Sequence, residues 1–506
     1  MKLFERVSNE SAIVVILVVL AICARLLSFG YLSSLASTNP AAHPYPVVSG
    51  DSSYYALWAD NLLEFHAYEN PKGVPLHAAP PGYPALLAAT KALTGSMAPI
   101  VILQIILSAY AAVLIYRMAR TLVPSAYALV PALAYAIDPM AVFTDSAIMT
   151  DGLFSSLLIF IVYFAFFLPT PSGARQAGQQ SRLKGIARWG LVGLLLGAIT
   201  MIRPIAQFLV FVFPAMYLLR EWFTVSSSNP MASKKADPTV VSEKVSRLKV
   251  IIACILGFAV IVTPWIARNY SQFESFEISP LGGHNLLINN VRGFLAWRTL
   301  AGTPEQLPAI LAMRHFNDPV FSVVDTDVAK RLAEITPPGK DSDNYEGKLA
   351  IYYIMRDPVR YAYFHTVNTI PFFISSSVAS YKQIERQLRD NEGFYAPVTL
   401  SILDSLRKIR HPESASSFIS AVRNLSPIAL EIFWWLCITL LALVATVLRR
   451  RDFAILLLFV LVAYFAALTG PMSNSRYRIP AEPYLLILAA AGAHELVKRM
   501  RKHYGH

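Results

Sequence analysis

Residues 187–220 read ARWGLVGLLLGAITMIRPIAQFLVFVFPAMYLLR. Two apolar runs meet at Arg203–Pro204, each near the ~17–25 residues that a helix needs to cross a bilayer. Proline fixes φ and lacks an N–H, so one helix ends and another begins there. Neither run carries the polar stripe of a helix lying on a water-soluble core. The pair therefore reads as a membrane hairpin, with a single arginine at its turn.

The rest of the chain repeats this pattern. Of 506 residues, 55% are hydrophobic and 15% charged, where a soluble protein has about a quarter charged. Apolar blocks fall at about 12–33, 97–116, 121–138, 151–169, 187–203, 205–220, 249–267, 427–448, 453–470 and 481–497. The expected fold is an all-α integral membrane protein: a single polytopic domain over 1–506, a bundle of about 10–11 spans with extracytoplasmic interfacial helices. The first block follows MKLFERVSNE and runs to Tyr31 without a small-x-small cleavage site, so it reads as a retained anchor. Cys23, Cys254 and Cys437 each lie inside an apolar block and suit small buried hydrophobes.

The net charge is +12. The basic residues sit in short segments beside apolar blocks: Lys2 and Arg6, Arg117 and Arg120, Lys184 and Arg188, Lys244 to Lys249, Arg449 to Arg451, and the tail KRMRKH. With ten spans they all fall on one side. That is the positive-inside pattern of a membrane protein rather than a nucleic-acid surface, so no nucleic-acid partner is expected and membrane lipids are. The segments 34–96 and 268–425 then form a first loop and a large loop outside, and 221–248, with SSSNP and SKKADP, a flexible cytoplasmic loop. The segment 361–380 suits an interfacial helix or one packed on the bundle better than an eleventh span, which would put Arg449 to Arg451 on the wrong side. No internal repeat is visible, although many transporter folds are built from related halves.

On this topology a few polar residues stand on the outer side. In GDSSYYALWADNLLEF (50–65), Tyr55, Trp58, Leu62 and Phe65 recur at helical spacing, and Asp51 stands just before the first turn, as an N-cap or as a base. PPGYP (80–84) makes a rigid turn before the chain re-enters the membrane. Asp138, Asp145 and Asp151 lie near the outer interface, and Asp151 opens a fully apolar run, as a helix cap or a functional carboxylate. Arg203 either snorkels to headgroups or holds an anion in a cavity. Trp265 and Arg268 mark an interface, followed by Gly282–Gly283–His284–Asn285, where a ligand could approach the backbone. Arg476 and Arg478 flank Tyr477, and guanidinium geometry favours phosphate. His43, His66 and His77 share the first loop without metal-ligand spacing, and the sequence has no Gly-rich phosphate loop, HExxH, GxSxG or CxxC motif.

Gly50–Asp51, PPGYP, TDGLF (150–154), GLLLGAITMIRP (193–204), PWIARN (264–269) with GGHNLL (282–287), and RYRIPAEPYL (476–485) occur in an order that resembles the GT-C membrane glycosyltransferases, in the branch of protein O-mannosyltransferase-like and lipid A aminoarabinose transferase-like enzymes. The likeness runs from about residue 12 to 497. It implies a GT-C-like fold, a polyprenyl-phosphate sugar as donor, and a lipid, glycan or protein acceptor on the extracytoplasmic face of a bacterial inner membrane, with the active site toward the periplasm. It implies Asp51 as general base with Asp151 in support, and Arg268, Arg476 or Arg478 on the donor phosphate, to which the residue reading adds Arg203. Tyr54, Tyr55, Tyr83, His284, Asn285 and Tyr477 complete the candidate substrate-lining set. In one respect the chain departs: the aminoarabinose enzymes carry a lysine directly before the two prolines, and here that residue is Ala79.

The chemistry is self-consistent. A hydroxyl nucleophile needs a positioned base, and a departing lipid phosphate needs cationic stabilisation but no general acid. Attack opposite the phosphate inverts the anomeric carbon. No cofactor is required by this scheme, and a divalent metal stays open. Rival readings are a flippase or transporter of lipid-linked sugars, which predicts polar residues at mid-span depth, and a glycan polymerase or ligase with a larger lipid-linked donor.

Overall fold

A computed structural model describes residues 2–38, 46–47, 51–69, 76–168, 179–226, 238–300, 319–338, 340, 342–390, 408–411 and 414–504. Gly50, His43, 301–318 and 391–407 lie outside these, as does the middle of the 221–248 loop.

The described residues are helical throughout the bundle. The long elements are α1 (Lys2–Ser37), α4 (Ala98–Arg120), α7 (Thr150–Val162, prolonged by a π-helical turn over Tyr163–Phe167), α8 (Gln179–Thr200), α9 (Leu209–Ser226), α10 (Pro238–Phe273), α17 (Ala415–Leu448), α18 (Phe453–Thr469) and α20 (Glu482–Tyr504). Shorter helices in the first loop are α2 (Asp51–Phe65) and α3 (Gly82–Thr94). Among the described residues eight helical segments are long and apolar enough to cross a membrane. The protein is a multi-pass integral membrane protein.

Two of the ten expected blocks take a different form. The block at 121–138 is not a straight span. Its helix α5 (Ser125–Ile137) has 13 residues, only about 20 Å at 1.5 Å per residue. The chain then bends by 52° into α6 (Pro139–Ser146). The cause is local: Pro139 cannot continue the hydrogen-bond ladder, and the Asp138 carboxylate accepts from the Met140 and Ala141 amides at 2.9 Å, which caps a new helix. The block at 481–497 is α20, long enough but carrying Glu482, Glu495, Lys498 and Arg499. Its first half is buried by α5, α17 and α18, so lipid does not face Glu482.

Among the described residues the most extensive pairing is α8 on α10. Gly193 lies against the Cys254 carbonyl and Gly257 against the Gly190 carbonyl, so close that a Cβ at either would collide. Small residues let membrane helices approach where no hydrophobic force distinguishes protein from lipid.

The two ends of the bundle differ. At one end Arg120 pairs with Glu10 at 3.4 Å, and Arg449 donates to the Leu122 carbonyl at 3.1 Å beside Arg450 and Arg451. At the other end lie the start of α7, the α8–α9 turn and the end of α18, and there the acidic and basic anomalies meet. Beyond that end α11 (Leu281–Leu286), α12 (Arg292–Thr299), α13 (Pro319–Ile335) and α14 (Asp343–Arg356) share a separate apolar cluster around Leu287, Phe294 and Leu349. The segment 361–380 falls on α15 (Pro358–Ile374) and the start of α16 (Ser377–Asp390), which pack on α17, α18 and the short helix α19 (Ser475–Arg478).

Candidate functional site

Four residues from four separate parts of the chain converge. Asp51 is the first residue of α2, and its side chain is 49% exposed. Asp151 is the second residue of α7 and is fully buried. Arg203 stands between α8 and α9, and Arg476 in α19. Arg476 Nη2 donates to Asp51 Oδ2 at 2.6 Å, while its Nε and Nη2 donate to Asp151 Oδ2 at 3.2 and 3.0 Å. Arg203 Nη1 pairs with the other oxygen of Asp151, Oδ1.

Each position is fixed by its neighbours. Arg203 has an extended backbone (φ −141°, ψ 116°), the conformation that a following proline favours. Its amide still bonds back to Ile199 at 2.8 Å, and the Tyr464 hydroxyl donates to the Ile205 carbonyl, tying α18 to this turn. Arg476 is placed by Asn474, whose side-chain oxygen accepts from the Arg476 amide at 2.9 Å and the Tyr477 amide at 3.3 Å. PPGYP has a structural role: the Gly82 amide donates to the Met201 carbonyl at 3.0 Å, and a side chain there would collide with Met201. The first loop is thereby docked two residues from Arg203.

The cap readings of Asp51 and Asp151 do not describe this geometry. Both carboxylates sit inside their first helical turn, a position that the helix dipole favours, and both are engaged across the site by guanidinium groups. Asp138, by contrast, is a true cap. Burial alone disfavours charge on Arg476, but the carboxylates of Asp151 and Asp51 outweigh it and hold its pKa above the ordinary value. Burial likewise pushes the Tyr55 phenol up, and Asp51 adds to the shift. Among the described residues the bonds of Arg476 use Nε and Nη2 of a group with five N–H donors, so Nη1 has capacity for an incoming anion.

Aromatic rings extend from the cluster along α2. Tyr54 and Trp58 stack at 6.0 Å, Tyr55 meets Trp58 at 5.8 Å and Tyr83 at 5.3 Å, and Trp58 continues to Tyr68 and Trp265. Tyr54 is exposed; Tyr83 is fully buried and donates to Gln104 Oε1 at 2.8 Å, so it belongs to the floor rather than the surface. Tyr477 sits beside Arg476 and Arg203, whose charges act on its phenol.

Other expected members are placed elsewhere. Arg268 is a clamp on the first loop: it donates to the Leu76 carbonyl at 2.6 Å and the Tyr68 carbonyl at 3.2 Å, with its plane over Trp265 at 4.9 Å. Arg478 is fully buried, 3.7 Å over Trp435, donating to the Ser375 carbonyl at 2.8 Å, with Glu482 at 3.6 Å. His284 pairs with Glu346 at 2.9 Å, and Asn285 Oδ1 accepts from Asn289 at 2.7 Å. These contacts belong to the α11–α14 layer. Ala79 is buried, its carbonyl taken by Tyr68. Among the described residues no group of three or more His, Cys, Asp or Glu side chains could hold a metal ion. Asn474 and Tyr464 support the site without a signal of their own in the sequence: Asn474 is the N-cap of a helix too short to show periodicity, and Tyr464 reaches a carbonyl 259 residues away.

No family model and no curated protein matches the chain. Among solved structures it is similar to the oligosaccharyltransferase of Archaeoglobus fulgidus. The apo form superposes with a TM-score of 0.47 at 13% identity, covering 98% of this chain and 51% of that one. The form tethered to an acceptor peptide containing the NVT sequon gives 0.45 at 12% identity, over 98% and 50%. The complex with an inhibitory peptide and a dolichol-phosphate gives 0.45 at 12% identity, over 98% and 51%. The chain spans about half the length of that protein.

Proposed function

We propose that this protein is a membrane glycosyltransferase, which moves a sugar from a polyprenyl-phosphate donor to an acceptor hydroxyl on the extracytoplasmic side of the membrane. One observation carries the reading: Arg476 bridges a half-exposed carboxylate, Asp51, and a buried one, Asp151, at the mouth of an apolar bundle. The basic residues gathered at the opposite end support that side.

In this reading Asp51 takes the proton of the acceptor hydroxyl. The hydroxyl oxygen bonds to the anomeric carbon as that carbon's bond to the phosphate oxygen breaks, with inversion, and the polyprenyl phosphate leaves with the electron pair. Arg476 and Arg203 stabilise the negative charge that grows on the leaving phosphate. Asp151 is a positioning residue. It is buried and held by two guanidinium groups, so it serves to aim them and is not free to accept a proton. Tyr54, Tyr55 and Tyr477 line the approach, and the exposed Tyr54 suits a sugar face.

The test is Asp51→Asn in the full chain, reconstituted in lipid nanodiscs with polyprenyl-phosphate-linked sugars extracted from cells lacking the protein. Loss of a general base lowers turnover by about 10²–10⁴-fold, with the donor still bound. Undiminished transfer by a folded Asp51→Asn protein would refute the assignment.

A further inference from the structure

Behind the site lies a second buried ion pair that the scheme above does not use. Arg25 stands within the apolar α1, and Asp145 near the end of α6; both are fully buried. Arg25 Nε donates to Asp145 Oδ2 at 2.8 Å, and Nη1 to the Ala136 carbonyl at 2.8 Å and the Ala21 carbonyl at 3.2 Å. Ser108 of α4 donates to the same Oδ2 at 2.6 Å. Gln104, one turn away on α4, donates to the Ala147 carbonyl at 2.9 Å and the Asp145 carbonyl at 3.3 Å, and receives the Tyr83 hydroxyl at 2.8 Å. Apart from the Ala21 bond within α1 and the Tyr83 bond to α4, these bonds end on the α5–α6 unit or on the extended turn 147–149 that delivers Asp151. The contact continues past the turn: Gly152, the residue after Asp151, lies against the Asp145 carboxylate so closely that a Cβ would collide with it.

We propose that the Arg25–Asp145 pair is a positioning device for the site: it fixes the α6–α7 turn, and through Gly152 it sets where Asp151 holds Arg203 and Arg476. An ion pair buried within a membrane bundle is costly, and apolar residues of similar volume stabilise as well or better. What an apolar contact lacks is direction. Arg25 joins a side chain and a backbone carbonyl from either side of the 52° bend, so it fixes an angle as well as a distance. A site that works through aimed guanidinium groups needs its supports held to about half an ångström. This inference rests on the reading of Asp151, Arg203 and Arg476 as the donor-phosphate side.

The experiment uses the full chain in nanodiscs, with the double variant Arg25→Gln/Asp145→Asn, which removes both charges together and leaves neither uncompensated. Its thermal unfolding temperature is measured, its structure is solved by cryo-electron microscopy, and its affinity for undecaprenyl phosphate is determined by native mass spectrometry. The expected result is near-native thermal stability, Asp151 displaced from Arg476, and affinity weakened about tenfold, the lower end of what losing an outer-shell support costs. A stable double variant with Asp151 still bonded to Arg476 would overturn the proposal, because the pair would then serve stability alone. Should the double variant not fold, Ser108→Ala removes one hydrogen bond to Asp145; it is expected to shift Asp151 in the same direction by less, and an unmoved Asp151 overturns the proposal equally. Arg476→Gln is the control for the underlying reading. If it binds undecaprenyl phosphate as the native chain does, the phosphate assignment falls, while the position of Asp151 still decides the positioning claim.

Discussion

Arg476 and Arg478 are two residues apart on one short helix and have opposite fates. Two residues turn a helix by about 200°, so one guanidinium looks out to the mouth of the bundle and the other into it. Arg476 finds a half-exposed carboxylate and a buried one. Arg478 is enclosed by Trp435, Glu482 and the carbonyls of the α15–α16 break. The sequence RYR presents both as equivalent outward arginines. Enclosure separates them: a cation with no access to an arriving anion can only hold the structure together.

The comparison predicts opposite phenotypes. Arg478→Met should have the largest effect, on stability. It strands Glu482, which is fully buried, and breaking a buried pair from one side costs about 3–5 kcal/mol. Thermal unfolding in detergent would read this as a strongly lowered transition, with polyprenyl-phosphate affinity preserved in whatever fraction folds. A stable Arg478→Met protein that no longer binds the lipid phosphate would reverse the two roles.

Arg476→Gln comes next, and its effect should fall on turnover. Removing one donor that stabilises a developing charge costs about 10²–10³ in kcat. Unfolding should change less than for Arg478, because Asp151 keeps Arg203 as a partner. Equal loss of stability in the two variants would erase the distinction drawn from enclosure.

The same contrast explains what the sequence made legible. The bilayer imposes one length on apolar helices, so the blocks are visible from hydropathy alone. Where it misled, at 121–138, the Asp138–Pro139 pair that caps and restarts the helix was present but lay inside an apolar run. Asp151 and Arg203 stood out as charged residues at the edge of such a block, Arg476 as one between two blocks, and Asp51 as the residue ahead of a helical run of aromatic side chains in the first loop. The facing of Arg478 could not be read, since a four-residue helix has no periodicity to fix its orientation. Arg268 misled for another reason: an arginine at a span end reads as a phosphate ligand or as a loop clamp until its carbonyl partners are known. Arg25 was missed altogether. One charge in the interior of a 28-residue apolar segment barely lowers its hydropathy, and its partner Asp145 is 120 residues away. Placing Asp145 near the outer interface therefore overlooked the partner that it meets inside the bundle.

Asn474→Ala sharpens the comparison from the backbone side. Asn474 caps α19 through the amides of Arg476 and Tyr477, and loss of such a cap costs about 1 kcal/mol. Because that helix aims Arg476, turnover should fall further than this stability loss implies. The split is checked by measuring kcat and thermal unfolding on the same preparation; a proportionate loss of both would make the cap purely structural.

The smallest effect expected is in the pH response of the α11–α14 layer, where the cation is a histidine rather than an arginine. The hydrogen bond to Glu346 holds the His284 pKa above its ordinary value, against the smaller opposing effect of burial. Since the folded pKa is raised, the pair's contribution is fully present below the ordinary histidine value of about 6.5 and is lost as pH rises through the raised one. Half-exposure of the ring keeps the effect modest. The unfolding-temperature difference between the native chain and His284→Gln should therefore be greatest under acidic conditions and shrink toward alkaline pH. The corresponding difference for Arg476→Gln should stay flat across that range, because a guanidinium does not titrate there. A flat His284→Gln difference would mean that the imidazole stays neutral and meets Glu346 as an uncharged donor, which would remove the one titratable contrast to the arginine-built site.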